Sequence, residues 1–468
     1  MKPEYGANDD EIIHIADYYV AVWGDDSNLG TYEKPWGTWQ KAFESAQPGD
    51  TVYFRGGVWL PEEHASGANV CYYDPTATSP YGYNGTAENR IYYMNYPGET
   101  PILDCSLVPP AGNFNTALEL KSVHFVTFRG LTIRNLRQHS SNVTVRVMMA
   151  YLCSNLTFER FTIHNNSGAA FNYLSGIGPE HGIDYDTTRW INCDAYYNVD
   201  SLGSTPGNHA DGWKCDQYEG AYLYFEGCRA MFNADDGFDV SGPTFAVFDN
   251  CWAISNGLLS GGNGNGFKTG AIRDTVDTPT RIIVNCLAAF NHGHNNSGAG
   301  FDFVDYQIDE EAYYRVNARV YNNTSYKNDI GYLAFNNPIK PYRNTVFRNN
   351  IAYGSTYVQD NIAYDVYIAD YQYPESNNSW DFLNDSWPPW FTYSEDVEVT
   401  DDDFVSLNPA GLTGPRQKDG SLPVVDFMRL KDNSDLIDAG TQIPPEDNIN
   451  YVLDYKGIAP DLGCFEKR

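Results

Sequence analysis

The chain has 468 residues, of which 30 are basic and 61 are acidic, so that its net charge at pH 7 is −31. This charge argues against binding to nucleic acid or to anionic membrane surfaces, because both are themselves negative. Aromatic residues make up 15% of the chain, and rings with an apolar face and a polar edge suit contact with carbohydrate, although many of the tyrosines could equally be ordinary surface residues.

The N-terminal part predicts a short capping element. Residues 1–5 carry no apolar run after a basic one, and no later segment approaches about 18 uninterrupted apolar residues, so we expect neither a signal peptide nor a membrane span in this chain. Thr38 can cap a short amphipathic helix from Trp39 to Ala46, which leads into a strand from Thr51 to Arg55. We interpret residues 38–48 as an N-terminal cap.

A six-residue phrase is the strongest structural signal. It recurs as Cys193 to Asn198, Cys228 to Asn233, Cys251 to Asn256, Cys286 to Asn291 and Asn323 to Asn328. Small residues alternate with larger ones, which is typical of a strand, and the closing Asn suits a left-handed corner. The repeats are spaced by 35, 23, 35 and 37 residues, which is too irregular for a propeller but fits coils of about 22 residues with inserted loops. The prediction is an all-β fold, a right-handed parallel β-helix.

The extent of the coils follows from related patterns. Two alternating runs upstream, Val126 to Asn135 and Leu156 to Asn165, also end in Asn, whereas the phrase fades after about residue 355. We therefore predict one domain over residues 1–468, with coils at about 51–355 and C-terminal loops and a cap at about 356–468. The stacked Asn residues are interpreted as a structural amide ladder, and the phrase cysteines as small buried residues rather than disulfide partners.

Three runs, ADGWK, ADDGFDV and GNGFKTG, carry the candidate chemistry. Aligned on the Gly-aromatic pair that they share, Asp211 and Asp236 fall in one column, and Lys214, Asp239 and Lys268 in another. Stacked parallel strands would hold neighbours in a column about 4.8 Å apart. Carboxylates held so close repel one another unless a cation is shared among them.

Four aspartates are the candidate metal ligands: Asp211, Asp235, Asp236 and Asp239. Four carboxylate ligands indicate Ca²⁺, which prefers oxygen. The alternative is a solvated acidic turn that is partly neutralised by Lys214. Lys268 lies one coil beyond Asp239, where a nearby cation would lower its pKa and make it a usable general base. A plain salt bridge between Lys268 and Asp239 is the alternative for this lysine.

These residues resemble the motif of polysaccharide lyase family 9, and the resemblance covers most of the chain, with its nearest likeness among rhamnogalacturonan lyases of gut Bacteroidota. The resemblance implies a calcium-dependent, pectin-degrading right-handed parallel β-helix. It also implies that the four aspartates bind the catalytic calcium and that Lys268, in the run from Asn265, removes the proton. The family includes enzymes that cut homogalacturonan and enzymes that cut the rhamnogalacturonan I backbone.

The implied reaction is β-elimination at a uronate. Lys268 would abstract the C5 proton, the glycosidic oxygen would leave from C4, and a bound cation would stabilise the charge on the carboxylate. Lys214 and Arg273 could pair with a substrate carboxylate. Few basic residues flank the site and aromatic residues are many, so we lean towards rhamnogalacturonan I, which is less charged than homogalacturonan. The expected activity is that of a rhamnogalacturonan I endolyase, and pectate lyase activity is the alternative.

Two other functions are compatible with the sequence. A β-helix glycoside hydrolase could use a carboxylate pair, either Asp235 with Asp236 or Asp239 with Asp302. A non-catalytic carbohydrate-binding solenoid could use calcium for stability alone. Because pectin is extracellular, we expect the chain to act outside the cytoplasm, as a secreted, cell-surface or periplasmic protein, and as a monomer.

Overall fold

A computed structural model gives the fold of the chain. It describes residues 16–77, 81–174, 186–216, 221–242, 245–270, 280–303, 317–334, 345–359, 362–363, 365–368, 375–380, 398–443 and 454–467.

Three parallel sheets form the walls of the described molecule. Sheet A consists of β1 (Tyr18–Val20), β2 (Thr51–Phe54), β5 (Ile91–Asn95), β8 (Val126–Arg129), β11 (Thr157–Glu159), β14 (Asp186–Ile191), β17 (Ala221–Glu226), β20 (Phe245–Asp249), β23 (Arg281–Val284), β26 (Ala318–Tyr321), β29 (Val346–Arg348) and β34 (Glu375–Ser376). Sheet B consists of β3 (Gly57–Trp59), β6 (Pro101–Asp104), β9 (Thr132–Arg134), β12 (Thr162–His164), β15 (Asp194–Tyr196), β18 (Arg229–Met231), β21 (Trp252–Ile254), β24 (Leu287–Ala289), β27 (Thr324–Tyr326) and β30 (Ile351–Tyr353). Sheet C consists of β4 (Asn69–Tyr73), β7 (Phe114–Lys121), β10 (Thr144–Tyr151), β13 (Ala169–Tyr173), β16 (Trp213–Asp216), β19 (Phe238–Ser241), β22 (Phe267–Lys268), β25 (Ala299–Asp302), β28 (Ile330–Ala334) and β33 (Val366–Ile368).

The chain visits sheets A, B and C in turn, and each strand pairs with the equivalent strand one coil away. This is the predicted parallel β-helix. It begins earlier than predicted, at β1, and β33 and β34 extend its sheets beyond residue 355. A small antiparallel pair, β31 (Val358–Gln359) with β32 (Ile362–Ala363), lies outside the three sheets.

An aromatic stack fills the interior behind sheet C. The rings of Trp213, Phe238, Phe267 and Phe301 lie face to face, with successive centroids 4.7, 4.9 and 5.1 Å apart. These are the aromatic residues of the Gly-aromatic pair, so this position of the repeat faces the interior. Because the rings point inward, the next residue of each strand points outward.

The glycine of each pair allows close approach of neighbouring coils. A Cβ built on Gly212 would lie 2.6 Å from the carbonyl oxygen of Gly237, and one on Gly237 would lie 2.6 Å from that of Gly266. Neither Gly212 nor Gly237 has a left-handed φ, so a turn conformation is not the reason for glycine at this position. Lack of space excludes a side chain here.

The closing asparagines form the predicted ladder. Asn198 donates through Nδ2 to Oδ1 of Asn233 at 2.9 Å, and Asn233 donates likewise to Asn256 at 3.0 Å. The left-handed residue is the one before each Asn, for example Tyr197 and Phe232. The predicted left-handed Asn was therefore wrong for this phrase, because the amide must point inward to join the ladder.

The N-terminal end is covered by α1 (Trp39–Ser45), whose N-cap Thr38 accepts a hydrogen bond from the backbone N–H of Lys41 at 3.1 Å. The helix ends one residue before the predicted Ala46, and Trp39 and Phe43 pack into the core. None of the helices in the described residues is long and apolar enough to cross a bilayer.

The C-terminal segment, residues 398–443 and 454–467, packs on the outer face of sheet B. Its Leu412, Phe427 and Phe465 join an apolar cluster with Trp252 and Leu287. The backbone N–H of Cys464 also donates to Oγ1 of Thr324 at 2.9 Å. The last segment thus folds back onto the coils, as its sequence predicted, and all nine cysteines are buried and free.

A buried ion cluster attaches this segment to the coils. Asp194 in β15 accepts hydrogen bonds from Arg229 at 2.8 Å and from Arg416 of the C-terminal segment at 2.7 Å. We expect Asp194→Ala to destabilise the fold by about 3–5 kcal/mol, because it leaves two guanidinium groups buried without their anion. Urea denaturation measures this loss. Arg416→Met, which removes one cation and keeps the other pair, is expected to cost less, and equal losses would contradict this account.

Candidate active site

The two predicted columns of charged residues are present on sheet C. Lys214, Asp239 and Lys268 occupy successive positions in β16, β19 and β22. All three follow an inward-pointing aromatic residue, so their side chains lie on the outer face of the sheet. Asp211 and Asp236 each precede the glycine of their pair by one residue, and the backbone N–H of Asp236 donates to Oδ1 of Asp211 at 3.3 Å.

Three carboxylates form a compact group at the start of these strands. One oxygen each from Asp211, Asp235 and Asp236 lies within 4.8 Å of the other two, and all three residues are buried. Oxygens that each lie about 2.4 Å from a calcium ion can be at most about 5 Å apart. The spacing and the donor chemistry of this group therefore fit calcium.

Burial makes the negative charge of this group costly. It raises the pKa of Asp211 to about 8, although Lys214 acts in the opposite direction. It also raises the pKa of Asp235 well above its usual range, and the neighbouring carboxylates Asp236 and Asp211 raise it further. A bound cation would remove this cost, because it compensates the charges that burial and mutual repulsion disfavour.

Asp239 lies apart from the three-carboxylate group and is bound by both lysines. Its Oδ2 accepts hydrogen bonds from Lys214 and from Lys268, the latter at 3.2 Å. Burial acts to raise the pKa of Asp239, but Lys268 and Lys214 together lower it below its usual value. The structure thus brings together three of the four predicted ligands, and the assignment of Asp239 as a ligand stays a prediction.

Lys268 contacts both the carboxylate group and Asp239. Its Nζ lies 3.0 Å from Oδ2 of Asp236 and 3.2 Å from Oδ2 of Asp239. Burial acts to lower the pKa of Lys268, but Asp236 and Asp239 raise it above its ordinary value. The predicted salt bridge between Lys268 and Asp239 is therefore present, and the amine also lies next to the candidate calcium site. Its role as a general base stays a prediction.

Two backbone donors that the sequence analysis missed hold the aspartates in place. The N–H of Asn263 donates to Asp235 at 2.8 Å, and the N–H of Asn265 donates to Asp236 at 2.7 Å. The side-chain oxygen of Asn265 accepts from Ala299 on the next coil at 2.8 Å. The Gly-Asn-Gly-Asn-Gly run was a usable signal, since glycines let a loop approach closely. Arg273, the other predicted substrate contact, lies outside the described residues.

The arrangement combines a cation-binding group with an amine that can carry a proton. Lys268 is partly accessible, with a side-chain exposure of 19%, whereas the carboxylates that it contacts are buried. A partly exposed amine beside such a group can take a proton from a bound molecule when the negative charges that keep it protonated are neutralised.

Comparison with known proteins identifies the family of the chain. The family model described as "Pel9A-like, right handed beta helix region" matches residues 18–361. Pectate lyase L of Dickeya chrysanthemi is 29% identical over 464 residues, covering 96% of this chain and 90% of that protein. The crystal structure of pectate lyase Pel9A aligns with a TM-score of 0.69 and 27% identity over 96% of each chain.

A solved rhamnogalacturonan lyase aligns with a TM-score of 0.62 over 89% of this chain and 96% of its own, but its 23% identity supports the fold alone. The family model covers well over half of the sequence and includes every described residue of the candidate site. The chain therefore belongs to the Pel9A-like right-handed β-helix family and is a polysaccharide lyase, as its resemblance to polysaccharide lyase family 9 predicted.

Proposed function

We propose that the chain is a calcium-dependent lyase that cleaves the backbone of a pectic polysaccharide by β-elimination. The observation that carries this proposal is the position of Lys268, whose amine lies 3.0 Å from Asp236 of the three-carboxylate group. Asp211, Asp235 and Asp236 would hold the cation, with Asp239 as the fourth proposed ligand. Calcium, when bound, supplies positive charge for the substrate carboxylate.

Lys268 is proposed as the general base. Neutralisation of Asp236 and Asp239 removes the main cause that raises the pKa of Lys268, so its amine can lose a proton to solvent. The neutral amine would then take the C5 proton of the uronate at Nζ, a double bond would form between C4 and C5, and the bond from C4 to the glycosidic oxygen would break. The departing oxygen would take a proton from solvent. The two carboxylates within hydrogen-bond distance restrict the position of the amine, which helps to keep it aligned with the proton.

Lys214 is proposed as a substrate contact. It lies on the outer face of β16 and binds Asp239, so it can pair with a uronate carboxylate without taking part in proton transfer. Arg273 remains a proposed partner for the same purpose.

We propose rhamnogalacturonan I as the preferred substrate. Its backbone carries a carboxylate on every second sugar. The outward column of sheet C offers few cations to such carboxylates, because Asp239 and Asp302 alternate with Lys214 and Lys268. Homogalacturonan, with a carboxylate on every sugar, is the second candidate, because the 29% identical relative is named a pectate lyase. We also propose that the chain works as a monomer outside the cytoplasm and cuts within its substrate.

The test is product formation from both polymers, with and without calcium. We expect the ultraviolet absorbance to rise in a calcium-dependent way, because elimination creates an unsaturated uronate with a conjugated double bond. The rise is expected to be faster with rhamnogalacturonan I than with homogalacturonan. Faster cleavage of homogalacturonan would favour the second candidate. New reducing ends without that absorbance would identify a hydrolase, and full activity in excess chelator would exclude a calcium role.

A further inference from the structure

Arg146 lies on the outer face of sheet C, on the N-terminal side of the proposed catalytic residues. It belongs to β10, in which Met149 occupies the outward column that continues through Asn172 to Lys214. Nη1 of Arg146 lies 3.9 Å from Sδ of Met149, so the guanidinium is placed beside this outward column.

Arg146 has no carboxylate partner among the described residues. Half-buried arginines on the coils are otherwise compensated, either by a carboxylate, as Arg55 is by Glu99 at 2.7 Å, or by backbone oxygens, as Arg90 is by the carbonyl of Asn155 at 2.6 Å. The guanidinium of Arg146 makes neither kind of hydrogen bond among the described residues, where its polar contact is the sulfur of Met149. Arg146 is half-buried, and burial lowers its pKa. An unpaired cation that is partly desolvated, in a chain with a net charge of −31, is unfavourable by itself, and an anionic ligand would compensate it.

The acid in the neighbouring coil does not serve as this partner. Glu119 of β7 is in register with Met149, but no ion pair joins it to Arg146 among the described residues. Burial raises the pKa of Glu119, and the cation that acts in the opposite direction is Lys121 rather than Arg146.

An exposed aromatic ring lies against the same guanidinium. Phe114 of β7 is 53% exposed, and Cζ of Arg146 lies 5.6 Å from the centroid of its ring. A solvent-exposed ring beside a cation suits a sugar acid, since the ring can cover an apolar sugar face while the guanidinium binds the carboxylate.

Arg146 and the proposed catalytic residues lie on the same sheet. Met149 of β10, Asn172 of β13 and Lys214 of β16 occupy one outward column in register, so Arg146 and Lys214 lie along the same outer surface of sheet C.

We propose that Arg146 and Phe114 form a distal subsite that binds a uronate sugar of the substrate chain. The subsite lies on β10, three strand spacings from β19, which corresponds to about 14 Å along the axis. This inference rests on the proposed function. A substrate must be several sugars long to contact the subsite and the catalytic residues together.

The test compares substrates of different length. Disaccharides and hexasaccharides are prepared from whichever pectic polymer the wild-type enzyme cleaves, and KM and kcat are measured for wild type and Arg146→Ala. We expect KM for the hexasaccharide to rise about tenfold, because a charge-assisted contact is lost. We expect kcat for the hexasaccharide to stay unchanged in Arg146→Ala. Binding of the disaccharide is measured in the Lys268→Ala variant, which should not cleave it, and adding Arg146→Ala to that variant should leave the affinity unchanged.

Matched variants separate binding from folding. Arg146→Lys is expected to recover part of the loss, and Phe114→Ala to raise KM for the hexasaccharide alone. Arg189, which lies over the ring of Tyr224 on sheet A with Cζ 4.4 Å from its centroid, is the control, and Arg189→Ala should leave every value unchanged. An unaltered KM for the hexasaccharide in a stable Arg146→Ala variant would overturn the subsite, whereas absence of lyase activity in the wild type would overturn the proposed function instead.

Discussion

Replacement of Lys268 by alanine is expected to lower kcat by about a thousandfold, because a positioned general base typically contributes between about a hundredfold and ten-thousandfold. The amine of Lys268 is the described amine that contacts both Asp236 and Asp239. Its removal should leave calcium binding in place, since it takes away a cation and no oxygen ligand. Steady-state kinetics on the preferred polymer, together with a calcium titration of the same variant, measure both effects.

Two further variants separate proton transfer from ion pairing. Lys268→Arg keeps a cation next to the carboxylates, but its much higher pKa makes it a poor base, so we expect it to remain at least about a hundredfold below wild type. Lys214→Ala removes the other lysine that binds Asp239, and we expect it to raise KM with a smaller effect on kcat. Near-normal activity of Lys268→Arg would assign this lysine a purely ion-pairing role and contradict the proposed base.

Replacement of Asp235 by asparagine is expected to weaken calcium binding by about a hundredfold or more. Loss of a residue that only hydrogen-bonds to a metal ligand typically weakens metal binding by about ten- to a hundredfold, and loss of a charged ligand should cost at least as much. The variant keeps the shape of the side chain and an oxygen that can accept from Asn263. Activity at low calcium should fall with affinity and recover in part at high calcium. Isothermal titration calorimetry and activity over a range of calcium concentrations measure the two effects.

The pH dependence of calcium binding follows from the same charges. Burial raises the pKa of Asp211 to about 8 and that of Asp235 well above its usual range. Carboxyl groups with raised pKa values hold protons near neutral pH, and calcium must displace these protons. Affinity is therefore expected to increase as the pH rises towards about 8 and to decrease below it, with protons released on binding.

Asp104 provides a matched control for the aspartate variant. It is buried and ion-paired with Arg134 at 2.7 Å, but it belongs to sheet B, away from the three-carboxylate group. Asp104→Asn should change stability and leave calcium affinity unaltered. Equal affinities in wild type and Asp235→Asn, or a calcium affinity that does not respond to pH, would remove the three-carboxylate group as the cation site.

Much of the architecture was predictable from residue order alone. The interior of a solenoid repeats with every coil, so the small residues and closing Asn of the phrase from Cys193 to Asn198 had to recur at each turn. The register of Lys214, Asp239 and Lys268 followed for the same reason, since residues that share a position in the repeat stack in one column. These are periodic features, and periodicity is readable without coordinates.

The partners of individual charges depended on the three-dimensional structure. Asp239 shares its column with Lys214 and Lys268 and forms ion pairs with both. The turn before β19 instead brings Asp235 and Asp236 close to Asp211. The sequence identified these four aspartates but could not separate the three that group together from Asp239, which pairs with the lysines. The direction of a side chain within a turn depends on local backbone geometry.

Contacts between segments distant in the chain were also beyond the sequence. Arg416 reaches Asp194 across 222 residues, and Arg146 of β10 lies against the ring of Phe114 of β7. Asp194 lies in the repeated phrase, but Arg416, Arg146 and Phe114 do not, so no periodic signal indicates either contact. The sequence by itself determined the solenoid, the columns and the acidic residues that flank Lys268. Only the tertiary structure decided which charges pair with each other and which, like Arg146, are left for a ligand, because pairing depends on distance and burial rather than on position in the repeat.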